Sequence, residues 1–241
     1  MSQIVRIPWS IFVAALFCGA TLVGSSQAQT IKSSIEQMSG WTSCSVCAGA
    51  GGSGATAYHY LQQGIKTPVL SGTSAKAHLG ATTAYAAALW WKQLGANNAK
   101  SHFVYDLDFY LKTPSYAQAL EFDVNQSNGH KKFIFGTQCN IKGGSVWDVY
   151  DPAGHAWRHT SIHCGAPSAY RWHHLVWEVY RDSYKVHYVA VTIDGAKHYI
   201  NRSYYARSSS AKEINVAFQM DADRYHHAYD TWLDKITLKY W

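Results

Sequence analysis

The chain has 241 residues and a formal net charge of +6, and charged and aromatic residues each make up 15% of it. So low a charge content with so many rings favours an aromatic-rich β-sandwich over a helical or disordered chain. The basic residues are scattered, with Lys131-Lys132 the longest run, so no nucleic-acid-binding stripe is present and no nucleic-acid partner is expected.

The chain begins with Arg6, the apolar run from Ile11 to Val23 and the small-residue site Ser26-Gln27-Ala28. This order predicts a secretory signal peptide, residues 1–28, cleaved after Ala28. Gly19 and Thr21 interrupt the run, and it is shorter than a membrane span, which argues against an anchor. No later segment is apolar enough to insert into a membrane, so a secreted or periplasmic location follows.

Roughly two hundred residues remain, enough for one β-rich domain with a sizeable core. Residues 29–56 read as an N-terminal strand and a Gly-rich loop, and residues 57–241 as one sandwich domain. The run from Gly49 to Gly54 lacks the Lys-Ser or Lys-Thr of a phosphate loop. Four cysteines follow the signal segment, Cys44, Cys47, Cys139 and Cys164, and an even number in an exported chain points to disulfides in one of three connectivities. The preferred pairing is Cys44–Cys47, a tight local ring, with Cys139–Cys164, which closes a Gly-rich and Trp-containing segment. A redox or zinc role for Cys44-Ser45-Val46-Cys47 is opposed by the loop composition that follows it.

Alternating apolar and polar residues predict strands at His102–Tyr110, Ala119–Asn125, Lys132–Cys139, His173–Tyr180, Val186–Ile193, Ile214–Met220 and Trp232–Tyr240. The Ala-rich stretch from Thr82 to Leu94 fits a short helix or a strand pair. If it is extended, Trp90 and Trp91 point to opposite faces, so that only one is buried. Asp194-Gly195 and Asn128-Gly129 are hairpin signals, because type I′ turns need residues that tolerate positive φ. The second hairpin sets Glu121 and Asp123 beside Ile134, Gly136 and Gln138.

The most informative strand reads Ala-Leu-Glu-Phe-Asp-Val-Asn-Gln from Ala119 to Gln126. Side chains alternate across a strand, so Leu120, Phe122 and Val124 face a core while Glu121, Asp123 and Asn125 line the opposite face. The bland reading of the two acids is a solvated face paired with nearby Lys or Arg. Among the 13 histidines, His173 and His174 are adjacent on a strand and face opposite ways, so they cannot share a metal. His155, His159 and His163 have helical zinc spacing in a context that argues strand or loop.

The strand order, Tyr170-Arg171-Trp172-His173-His174-Leu175-Val176-Trp177, the hairpin around Asp194-Gly195 and the closing Trp232-Leu233-Asp234-Lys235-Ile236-Thr237-Leu238 resemble the concanavalin A-like lectin/glucanase superfamily over residues 60–241. The resemblance implies an all-β, antiparallel two-sheet jelly-roll sandwich with a glycan groove on its concave sheet. In the laminarinase-like hydrolases of that superfamily, a strand carries a nucleophilic Glu, an assisting Asp and an acid/base Glu. Glu121 and Asp123 match the first two, and these are the catalytic candidates if the chain is an enzyme. Gln126 stands at the third position, or Asn125 if the strand carries no bulge. An amide hydrogen-bonds a sugar but cannot exchange the proton that a retaining hydrolase needs. Glu178, Asp221 or Asp223 could bring the missing acid from another strand. The resemblance also implies a structural calcium held through Asp234, the one cofactor expected.

A binding site has no such gap. The expected function is therefore a lectin-like domain whose partner is a poly- or oligosaccharide, held by Glu121, Asp123, Gln126, Gln138 and Gln219, with Asn125, Asn140 and Asn215 nearby. Trp147, Trp157, Trp177 and Tyr188 are candidate stacking platforms, although a sandwich core also consumes tryptophan. A glycoside hydrolase or polysaccharide lyase using the same groove, and a surface domain without a glycan site, are the alternatives. Oligomeric state is open.

Overall fold

The computed structural model describes residues 28–48, 56–80, 83–96 and 99–241. The expected signal segment up to Gln27 and the Gly49–Gly54 run lie outside the described residues. Strands follow in chain order as β1 (Thr30–Lys32), β2 (Trp41–Cys44), β3 (Tyr58–Ile65), β4 (Ser74–Gly80), β5 (Ala87–Gln93) and β6 (His102–Leu111). Next come β7 (Ala117–Asn128), β8 (Lys131–Phe135), β9 (Thr137–Asn140), β10 (Val146–Asp151), β11 (Ala156–His163) and β12 (Arg171–Arg181). The chain closes with β13 (Lys185–Ile193), β14 (Ala196–Tyr205), β15 (Arg207–Ser208), β16 (Lys212–Ala222) and β17 (Tyr229–Tyr240).

These strands form two antiparallel sheets packed as a jelly-roll sandwich. Sheet I runs β14-β13-β12-β6-β17-β4-β3, with β1 added to β17. Sheet II runs β11-β10-β9-β7-β16-β5-β2, with β8 pairing β7 and β15. Within the N-terminal segment, β1 joins sheet I and β2 pairs with β5 in sheet II. Both preferred disulfides form, Cys44 with Cys47 and Cys139 with Cys164.

The core lies between the sheets, where the inward faces of β6, β7 and β16 meet. Phe109 of β6 packs on Phe122 of β7 at 5.2 Å, and Phe122 on Phe218 of β16 at 5.4 Å. Consequently β7 sits near the middle of sheet II with its apolar side buried and its odd-numbered side chains on the outer face.

Several sequence expectations change here. The Ala-rich stretch contributes the strand β5, with Trp90 only 1% exposed and Trp91 on the outer face, half-buried. Asp234 was the calcium candidate, but it is fully buried, and its carboxylate accepts the backbone N–H groups of Leu70 at 2.6 Å, Ser71 at 3.1 Å and Lys235 at 2.8 Å. A carboxylate turned toward three N–H donors clamps the preceding loop onto β17, and those donors stand where a cation would need its other oxygens. Asp234→Ala is expected to cost about 2 kcal/mol by freeing those donors, measured by urea unfolding. A chelator is expected to leave the unfolding temperature of the unaltered protein unchanged.

Candidate functional site

The outer face of sheet II is polar because β7, β9 and β16 each present their polar alternation on that side. Glu121 stands between its register partners Gln219 of β16 and Gln138 of β9. Asn125 likewise lies between Asn215 and Ile134, and donates to the Asn215 side chain at 3.1 Å. Gly136 separates β8 from β9 beside Asp123. A side chain there would collide with Tyr150 Cβ at 2.8 Å, so the glycine lets β10 close on this part of the sheet.

Asp221 is the residue that the strand motif alone could not place. It lies two residues from Gln219 on β16, and a single amide holds both acids: Gln219 Nε2 donates to Glu121 Oε1 at 2.5 Å and to Asp221 Oδ1 at 3.0 Å. Glu121 and Asp221 interact directly as well, and the interaction raises Glu121. Burial, then the nearby charges of Asp221 and Asp123, raise Glu121 well above the ordinary carboxyl value. Asp123 is pushed up to about 7 by burial, opposed by the N–H of Thr137, which it accepts at 3.0 Å. Burial likewise takes Asp221 to about 7 against the hydrogen bonds from Gln219 and Glu121. The three carboxyls form a cluster that still holds protons near neutrality.

A second polar network adjoins the first. Asp148 of β10 is fully buried, accepts from Gln138 Nε2 at 2.8 Å and Asn140 Nδ2 at 3.1 Å, and fixes His159 Nδ1 at 2.6 Å. The Glu121, Asp148, His159 and Asp221 side chains line one cavity of about 360 Å³, flanked by the rings of Tyr85 and Trp157. A neighbouring cavity of about 470 Å³ continues over β7 and β16 past Asp123, Asn125 and Asn215, with Trp91 on its wall. Together they make a trough in which rings flank planar donors and acceptors.

The trough gathers Glu121, Asp123, Asn125, Gln138, Asn140 and Asn215 from the sequence-derived set, with Trp157 from the candidate platforms, while Gln219 is buried behind its floor and holds Glu121 and Asp221. Three assigned ligand contacts lie elsewhere. Gln126 faces the sheet interface, because β7 runs without a bulge between Glu121 and Gln126 and even-numbered residues point inward. Its side chain accepts from Arg181 Nε at 2.5 Å and donates to the Lys100 carbonyl at 2.8 Å. Gln126→Ala is therefore expected to lower stability by about 2 kcal/mol in urea unfolding and to leave glycan affinity unchanged.

Trp147 and Trp177, each 1% exposed, meet edge to face across the core at 5.3 Å. Tyr188 is buried there too. These rings sit on the inward alternation of β10, β12 and β13, which no count of tryptophans could distinguish from the outward one. Sequence reasoning named Asp221 only as one of three acids that could reach the site from another strand, and missed Asp148, Tyr85 as a flank and Trp91 as a wall. The signal for Trp91 was present in the Trp90-Trp91 alternation once β5 is known to be a strand. His173 and His174 do face opposite ways, His173 toward Asp194 at 2.8 Å and His174 toward Asp106 at 2.8 Å.

No protein family and no characterised protein matches the chain by sequence. Among solved structures, an endo-β-1,4-glucuronan lyase from the fungus Trichoderma reesei aligns with a TM-score of 0.48 at 13% identity, covering 75% of this chain and 86% of that one. The alginate lyase Aly36B aligns with a TM-score of 0.48 at 9% identity, over 70% of this chain and 81% of that one. Peanut lectin aligns with a TM-score of 0.44 at 8% identity, over 89% and 99%. The two-sheet jelly-roll sandwich rests on the sheet order given above.

Proposed function

We propose that the outer face of sheet II binds a poly- or oligosaccharide as an exported, lectin-like domain. The observation that carries this reading is the trough, where carboxyls and amides held by one another alternate along β7, β9 and β16 between the rings of Trp91, Trp157 and Tyr85. Sugar hydroxyls donate and accept through one atom, which suits mixed acids and amides, while apolar sugar faces stack on rings. The two disulfides agree with an oxidising, extracytoplasmic setting. Charge narrows the glycan: the carboxyls of Glu121, Asp123, Asp148, Glu213 and Asp221 outnumber the single ammonium of Lys132 along the trough and disfavour an anionic polymer once they ionise, so a neutral glycan fits best.

Affinity electrophoresis of the mature chain through gels containing neutral and acidic polysaccharides tests this. Retardation by a neutral polymer is the expected result, and free migration through the whole panel would refute it.

Catalytic use of the same trough is the second reading, and Asp221 favours it. With Gln126 turned inward, β7 supplies no third acid, but the Glu121–Asp221 pair holds a proton beside Asp123, the elements of acid and base that hydrolysis of a glycosidic bond requires. New reducing ends released from the retarding polymer, and lost in Asp221→Asn, would support hydrolysis. Binding without product would leave the lectin-like reading alone.

A further inference from the structure

Sheet I carries an independent cavity on its outer face, on the opposite side of the sandwich from the trough. It measures about 480 Å³ and is lined by Asp106 and Asp108 of β6, His174 of β12, and Lys235, Thr237 and Lys239 of β17. A bulge in β17 opens it: the pairing with β6 slips between Asp234 and Thr237, with Lys235 in the left-handed region at φ 52°.

Three acids of this region are nine-tenths buried or more, and two are accounted for. Glu36 accepts the N–H of Ile236 at 2.9 Å, and Asp234 accepts the three N–H groups that clamp its loop. Asp108, 9% exposed, has no hydrogen-bond partner among the described residues. Its neighbour Asp106 is engaged by His174 Nε2 at 2.8 Å. Buried carboxylates are normally satisfied, and the open side of Asp108 is the cavity.

We infer that this cavity is a second ligand site, taking a single neutral sugar residue whose adjacent hydroxyls donate to Asp108 and accept from Lys235, Lys239 or Thr237. The lining decides the class. An anion would meet Asp106 and Asp108, and a cation would meet two lysines. A hydroxyl donates to the acid and accepts from the ammonium through the same oxygen, so a vicinal diol satisfies both sides at once. This inference stands apart from the trough and does not depend on it.

The test is amide chemical-shift mapping on the full mature chain, titrated separately with glucose, galactose, mannose and N-acetylglucosamine, with L-lysine as a zwitterionic comparison. At least one sugar is expected to shift amides around Asp108, His174 and Thr237 saturably. Asp108→Asn and Lys239→Met are each expected to weaken that titration about tenfold or more, while Glu121→Ala leaves it intact. Asp108→Asn is further expected to raise the unfolding temperature, since the cost of burying this carboxylate without a hydrogen bond outweighs its attraction to Lys235 and His174, so that gained stability accompanies lost binding. Shifts produced by lysine and by none of the sugars, the absence of shifts with every probe, or an unchanged sugar titration in Asp108→Asn would each overturn the inference.

Discussion

Asp221→Asn is expected to make the protein more stable above pH 7 while weakening its hold on a glycan about tenfold or more. Burial raises Asp123 and Asp221 from 3.8 to about 7. Between those values the native state keeps protons that the unfolded chain has released, so the unfolded state binds fewer and stability falls as pH rises. The contribution is fully present below about pH 4 and is lost as pH climbs through about 7. The full linkage is roughly 4 kcal/mol per carboxyl, reduced to about 2 kcal/mol by the solvent that reaches the trough. Asparagine abolishes the penalty at position 221, because it carries no charge to desolvate. It also removes the charge that raises Glu121, and an amide that neither ionises nor accepts as strongly replaces a group placed to receive sugar hydroxyls. Urea unfolding at pH 4.5 and 8 checks the first half, with a flatter pH dependence expected in the variant. Affinity electrophoresis at both pH values checks the second. A variant with the unaltered protein's pH dependence would mean that Asp221 ionises as freely as an exposed acid.

Trp177→Ala is expected to cost about 3–5 kcal/mol of stability, the range for truncating a large buried ring, and to leave the affinity of the folded fraction unchanged. Trp177 fills the inter-sheet layer against Trp147, and truncation opens a void between sheets that β-strand hydrogen bonding prevents from closing. The indole N–H groups of both rings are buried without a partner among the described residues. Trp177→Phe should therefore cost far less than Trp177→Ala, since it keeps the ring and removes an unsatisfied donor. Chemical denaturation of the two variants separates the effects, and equal losses would show that packing is not what holds Trp177 in place.

Strands with one buried and one exposed face announce themselves by alternation, and for that reason β6, β7, β12, β13, β16 and β17 were readable within a few residues. The hairpin at Asn128-Gly129 set the register well enough to bring Gln138 beside Glu121. β3, β4, β10 and β11 escaped, because exposed rings, histidines and glycines blur their two-residue period, and with β10 and β11 went Asp148 and His159. Asp221 could not be placed because the β7–β16 pairing joins segments 98 residues apart at Glu121 and Gln219, with no turn to fix their register. The error at Gln126 had a different origin: a bulge was borrowed from a related strand pattern, and one residue of slip turns a core side chain into a groove side chain. Trp147 and Trp177 were misjudged because aromatic content carries no information about which face a ring takes.

The most direct test of a glycan-binding trough is affinity electrophoresis of the unaltered chain beside Glu121→Ala and Trp157→Ala, each shown to be folded, in the polysaccharide that retards the unaltered protein most. The account predicts that both variants migrate nearly as freely as a non-binding control. Full retardation of both would contradict it and move glycan recognition away from the outer face of sheet II.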